Sequence, residues 1–464
     1  MKILRHTLGY NLALPSIPES KLSRRERVRQ IVQHANTSVP FYQGRFDSFL
    51  AEEQSLTDSE FFYAFSHLPF VTKQNLKDHN EAFRSETLNG KFDLLNEGKT
   101  PNTKDAIIHG LVKKDFFTSI STGGTSGIPT YRWLDYEDAN VFAQSFLHSF
   151  KMNGWKQGES FVVYYPLKSY FTGPYAEFSG PLNTLFGFTM VPFETVTKES
   201  VENLLKTLKK RKATLLVIFP CVLQRVAEIM KAENIPPFEG LRYINVSGEF
   251  FLDCSKKFIQ KMFPGADIQS TYGAVEFGEI AHQSGLSSFD YDVFSDYAYI
   301  EQGPGNSILV TALRQKAFPF IRYQIEDMGQ VVTEADGRQS ILHLEGKNTD
   351  YIIGADGYHY YASFFNAVIN EINTAFDDPI MHFMLRHDKN ALQLNFVLQN
   401  PEQEKNVEQA ARDTMQAIFP NYSKVEIIFR DHFDHDYTRK FKIIGEGDGL
   451  AEVVGGYYQQ KKAS

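Results

Sequence analysis

The run Ser121-Thr122-Gly123-Gly124-Thr125-Ser126-Gly127-Ile128-Pro129-Thr130 gathers three glycines and five hydroxyl side chains, with nothing bulky before Ile128. Glycine opens φ values that turn backbone N–H groups toward a ligand. Ser and Thr add short donors that reach phosphate oxygens. Such a loop can wrap a polyphosphate in a nest of amides, and the same composition also describes an ordinary solvated loop. No Gly-Lys-Ser/Thr follows, so it is not a Walker A loop and a P-loop NTPase is disfavoured. Further along stand Ser247-Gly248-Glu249, Tyr272-Gly273-Ala274-Val275-Glu276, Arg322-Tyr323-Gln324-Ile325-Glu326-Asp327, Gly346-Lys347-Asn348-Thr349-Asp350 and Thr438-Arg439-Lys440-Phe441-Lys442. Asp431-His432-Phe433-Asp434-His435-Asp436 has metal-ligand types at close spacing and reads as a polar turn. His282, alone, reads as a structural group. Taken singly, each motif is equally a turn or a solvated charge.

Six motifs in this order resemble the adenylate-forming (ANL) superfamily, and within it the phenylacetate–CoA ligase-like branch. Thr122 to Thr130 matches that superfamily's phosphate loop, with Gly123 where a second Ser is usual. The resemblance implies that Ser121, Thr122, Gly123, Gly124, Thr125, Ser126 and Gly127 hold the phosphates of ATP. It implies that Glu276 is catalytic and holds Mg²⁺. Ser247, Gly248 and Glu249 would form the adenine edge, Tyr272 would stack on adenine, and Asp327 would grip the ribose hydroxyls. Phe219, Pro220, Gly273 and Ala274 would line the acid pocket, as would Tyr170 to Pro174. Lys347, Thr349 and Asp350 would form the hinge, and Lys440 would be the catalytic lysine, with Lys442 its close competitor. Departures are Val275 for Thr, which removes one hydroxyl contact to phosphate, Ile325-Glu326 for Thr-Gly, Lys347 for Arg, which loses the planar fork, and Thr349 at the hinge position itself.

Positioning such groups takes a scaffold, and the hydrophobic pattern describes one. The basic segment 20–36 is helical in pattern, with Leu22, Val28, Ile31 and Val32 on one face, and Val39-Pro40-Phe41-Tyr42 ends it. Residues 85–115 are polar and read as a long surface loop or insertion. Beyond the glycine loop the pattern alternates: strands at Ser160 to Tyr165, Leu215 to Phe219 and Leu241 to Val246, with helices at Val201 to Arg211 and Cys221 to Lys231. Strand–helix–strand alternation implies a parallel sheet covered by helices, and Ser247 to Glu249 follow a strand end, where such sheets bind ligands. Short strands at 308–311, 330–333 and 341–344 read as an antiparallel, barrel-like subdomain. From Gly346 a smaller α+β unit is expected, with helices at Ala362 to Phe376 and Glu402 to Ile418 and strands at Leu392 to Leu398 and Val425 to Phe429. The fold expectation is therefore α/β: a large domain over 1–345 of mostly parallel sheet plus a small β-barrel-like part, then a mobile α+β domain over 346–464.

The 464 residues carry a formal charge of -8, against the basic face of a nucleic-acid binder. Cys221 and Cys254 are the only cysteines, which fits a reducing, cytoplasmic setting and excludes a cysteine-based zinc site. No apolar run reaches the length of a membrane span and no secretory h-region develops after Met1. The expected activity is ATP-dependent conversion of an aryl or short hydrophobic acid to acyl-AMP, with transfer to a thiol, coenzyme A being the branch default. A separate acyl carrier protein or an amine as acceptor stands as the alternative. A non-catalytic nucleotide- or acyl-binding homologue is the competitor from another class. A homodimer is compatible with the sequence.

Overall fold

A computed structural model describes residues 21–93, 108–109, 113–121, 131–156, 158–166, 188–284, 289–347, 350–388, 390–434 and 440–446. Its frame is an eleven-stranded sheet. Five strands run parallel in the spatial order Phe188–Phe193, Phe161–Pro166, Leu215–Ile218, Tyr243–Ser247, Asp267–Ala274. Both faces of this part are buried, so Leu215–Ile218 is continuously apolar rather than alternating. Leu216 and Ile218 pack into one core with the helices Lys198–Arg211, Pro220–Ala232 and Asp253–Met262. Leu215 and Val217 point to the other face, under the end of the helix Tyr136–Met152, where Phe150 and Trp155 join them.

Beyond Asp267–Ala274 the same sheet turns antiparallel, through Gly278–Gln283, Tyr291–Val293, Gln339–Lys347, Tyr323–Thr333, Ser307–Ala312 and Ala298–Gln302. The expected barrel-like part is thus corrected: these strands extend the parallel sheet edge to edge and do not close on themselves. Tyr291–Val293 bridges Gly278–Gln283 to Gln339–Lys347, which leaves no separate sheet to curl. The helix Arg24–Ser38 buries Val28, Ile31, Val32 and Ala35 in the core that these strands share. A capping box of Ser23 and Glu26 starts it, so Leu22 falls before the first turn and is 37% exposed, off the expected buried face.

A second, four-stranded sheet has the order Lys424–Arg430, Ala391–Leu398, Ile380–His387, Ile444–Glu446. It packs with the helices Ala362–Ala375 and Glu404–Ile418. The helix Asp253–Met262 belongs to both cores: Phe258 and Ile259 face the large sheet, and Cys254 faces the small one. The Asp253 backbone N–H donates to Asn366 Oδ1 at 2.9 Å, Asn366 Nδ2 donates to Asp253 Oδ2 at 2.8 Å, and Lys257 pairs with Asp378 at 2.8 Å. Among the described residues, no helix is long and apolar enough to cross a membrane.

Candidate active site

Strand order reverses beside Phe161–Pro166, whose sequence neighbour Phe188–Phe193 lies on one side and Leu215–Ile218 on the other. Open parallel sheets bind ligands beyond the carboxyl ends of strands near such a point. Three of the sequence motifs begin at those ends: Phe219-Pro220 after Leu215–Ile218, Gly248-Glu249 after Tyr243–Ser247, and Val275-Glu276 after Asp267–Ala274.

The turn carrying Glu276 is held from beneath by a residue that the motif search did not single out. Arg132, in the strand that follows the glycine loop, is 1% exposed. Its Nη1 donates to the Val275 carbonyl at 2.8 Å and to the Glu276 carbonyl. The Phe142 ring lies 5.2 Å from its guanidinium. Val275 packs with Leu134 and Phe142 in the same small core, which accounts for an apolar residue where relatives carry Thr. The clue in the sequence was an arginine two residues past Thr130, inside an otherwise apolar and aromatic strand.

Above this turn four polar groups converge. The Tyr272 hydroxyl donates to Asp327 Oδ2 at 2.8 Å. The Tyr323 hydroxyl lies beside the Glu276 carboxylate. Burial, then the Asp327 carboxylate, pushes the Tyr272 hydroxyl well above its usual range, and burial with Glu276 does the same to Tyr323. Both phenols therefore stay protonated donors. The adjacent Glu326 meets Lys73 at 3.1 Å and Lys347 at 3.4 Å, and these cations outweigh burial to hold it below the usual carboxylate range. Arg322 is tied into the scaffold through a buried pair with Glu301 at 3.0 Å.

Gly248 adopts φ +88°, and an added Cβ would meet the Phe219 ring at 3.2 Å. At Gly273 an added Cβ would collide with the Gly278 carbonyl and Glu279, so only glycine lets these strands approach here. Glu279 is 1% exposed and accepts from Ser247 Oγ at 2.8 Å. Burial pushes it up to about 7, against the pull of Ser247, Thr271 and the charge of Lys440. Lys440 thus lies within electrostatic reach of Ser247's carboxylate partner. Lys442, its neighbour by alternation, is engaged instead with Asp350 at 2.9 Å. Glu249 faces Cys221 and the backbone of Phe441.

The structure thus joins Tyr272 to Asp327 beside Glu276 and Ser247 to Glu279, with Lys440 in electrostatic reach of Glu279 and Phe219 against Gly248. Lys347 and Asp350 lie where the chain leaves the large sheet. Thr122 to Gly127, Tyr170 to Pro174, Thr349 and Arg439 lie outside the described residues, and Ser121 ends the strand Phe116–Ser121. His282 stacks on Phe294 with centroids 5.5 Å apart, and burial lowers it. His432 meets Asp434 at 3.1 Å. Among the described residues, no group of three or more His, Cys, Asp or Glu side chains could cage a metal. Glu276 offers one carboxylate with acceptor capacity beyond Tyr323, a donor set that fits Mg²⁺ held mainly by substrate phosphates.

No family model matches the chain. It is similar to the phenylacetate-coenzyme A ligase of Aromatoleum evansii, 22% identical over 347 residues that cover 71% of this chain and 70% of the relative. Its sequence is thus similar to that of phenylacetate-coenzyme A ligases over about seven tenths of the chain. Solved adenylate-forming structures share the fold. A 2-hydroxyisobutyryl-CoA ligase crystallised in the postadenylation state with R3-HIB-AMP aligns with a TM-score of 0.66 at 16% identity, covering 91% of this chain and 88% of that one. The same ligase in the thioesterification state, with 2-HIB-AMP and CoA, aligns at 0.52 and 18% identity over 93% and 91%.

Proposed function

We propose that this protein is an AMP-forming acid–thiol ligase. A carboxylate oxygen of the substrate attacks the α-phosphate of ATP, pyrophosphate leaves, and acyl-AMP forms. Sulfur of coenzyme A then attacks the acyl carbonyl and AMP departs. The observation that carries this reading is the clustering of Tyr272, Asp327, Tyr323 and Glu276 beside the end of a parallel strand, with Lys440, from the far end of the chain, in electrostatic reach of the neighbouring Glu279.

Each group has a task set by its position. Asp327, oriented by the Tyr272 hydroxyl, accepts from the ribose diol. The Ser121 to Gly127 loop donates to the phosphates. Lys440 spans the two anions that must approach, the acid oxygen and the α-phosphate, a place where preorganised positive charge lowers the barrier most. Mg²⁺ held at Glu276 would supply further charge neutralisation at the phosphates. Phe219, Pro220, Gly273 and Ala274 bound the acid, and their apolar character favours an aryl or short hydrophobic one. A cytoplasmic setting fits its substrates.

The higher alignment score against the postadenylation state than against the thioesterification state supports a C-terminal arrangement in which Lys440 faces the adenylate. Rotation of the unit from about residue 346 would then present the other face for the thiol step. Mass detection of acyl-AMP with ATP and acid alone, converted to thioester on adding coenzyme A, tests the sequence of steps. Formation of ADP would overturn it.

A further inference from the structure

Glu249 sits on the turn after the strand Tyr243–Ser247, where the family resemblance gives it to adenine, yet its carboxylate is committed to protein donors. Oε2 accepts the Cys221 backbone N–H at 3.1 Å. Oε1 accepts the Cys221 thiol at 3.4 Å and the Phe441 backbone N–H at 2.7 Å. Cys221 is the second residue of the helix Pro220–Ala232, which starts at Phe219 with no side-chain cap of its own. The first N–H groups of a helix lack internal partners and carry partial positive charge. Glu249 therefore caps this helix from a neighbouring strand and, with its other oxygen, grips the residue next to Lys440.

From these contacts we propose that Glu249 is a positioning residue for the adenylating state: a clasp that ties the lysine-bearing segment to the large domain and must open before the thiol step. The inference rests on the adenylate-forming reading. The Phe441 ring is anchored on the other side, 4.9 Å from His382 and 6.3 Å from Phe433, so the segment is held to its own unit by rings and to the large domain by Glu249. Burial, then the Glu249 charge, pushes the Cys221 thiol well above its usual value, which keeps Sγ–H a donor to the clasp. The flanking Lys442–Asp350 pair at 2.9 Å faces the chain between the two sheets and does not replace it.

The test uses the full chain with Glu249→Ala and Glu249→Gln, the second retaining one acceptor oxygen and serving if the first fails to fold. Two half-reactions are read separately, ATP–pyrophosphate exchange and consumption of supplied acyl-AMP by coenzyme A, together with amide hydrogen exchange over 440–446 and the first turn of Pro220–Ala232. The clasp predicts that pyrophosphate exchange falls about tenfold in the alanine variant, less in glutamine, through kcat rather than KM. It predicts that acyl-AMP consumption falls far less than pyrophosphate exchange, or rises, and that the Phe441 and Cys221 amides exchange faster. Equal loss in both half-reactions, or unaltered amide exchange, overturns it. Amide exchange needs no substrate, so a wild-type protein without adenylation would fail the functional reading while the clasp is still judged.

Discussion

Glu279→Gln should stabilise the protein at alkaline pH and leave it unchanged in acid. Glu279 is buried, and its carboxyl is raised from an ordinary 4.5 to about 7. A raised acid binds its proton more tightly folded than unfolded, so this contribution is complete below about pH 4.5 and is lost as pH rises through about 7. At about 1.4 kcal/mol per pH unit, charging Glu279 costs roughly 3 kcal/mol above neutrality. Glutamine resembles the protonated acid in shape and never charges. Chemical denaturation of both proteins at about pH 4 and pH 8.5 should give nearly equal midpoints at the lower pH and a higher midpoint for the variant at the upper one, a difference of roughly 3 kcal/mol. Parallel pH profiles for the two proteins would refute the reasoning, because they would mean that Glu279 is solvated or permanently paired. Adding Lys440→Ala should enlarge the gap, since Lys440 lowers the Glu279 value.

Three further outcomes follow from the site. Arg132→Lys should keep the fold and reduce kcat/KM for adenylation about tenfold, because an ammonium on a shorter side chain lacks the planar guanidinium that lies over Phe142 and aims Nη1 at both carbonyls; an unchanged value would remove Arg132 from the site. Lys440→Ala should lose adenylation by about a hundredfold or more and still convert supplied acyl-adenylate, whereas Lys442→Ala should adenylate within a few-fold of wild type; the reverse ranking would exchange their roles. Glu276→Gln should shift the Mg²⁺ concentration for half-maximal rate upward, read by titration at saturating ATP, and an unmoved midpoint would reject its metal role.

Much of the frame was legible because both physical signals agreed. Leu215–Ile218 reads as a strand buried on two faces, and its flanking helices carry Leu204, Leu208 and Val226 at helical spacing. The helix Tyr136–Met152 did not stand out, because Asp138, Gln144, Ser145 and Ser149 are buried on it and interrupt the apolar stripe. Asp138 is there to accept from the Lys316 and Ala317 backbone, a contact no local pattern encodes. Short antiparallel strands suggested a barrel since pairing partners are set by distant edges, and Tyr291–Val293 joins them to the main sheet. Within the candidate site, motif order pointed to Glu276 and Asp327, and the fold sets both beside Tyr272. Motif order put Lys440 ahead of Lys442 by alignment alone, whereas their different partners, Glu279 and Asp350, lie elsewhere in the chain. Glu249's bond to Phe441 spans 192 positions and was equally invisible.

The most direct test of the central claim is ATP–pyrophosphate exchange with Mg²⁺ and no thiol, run across aryl, cinnamyl, hydroxyaryl and fatty acids. The account predicts exchange that depends on one class of acid and stops in Lys440→Ala. ATP binding without exchange for every acid would contradict it.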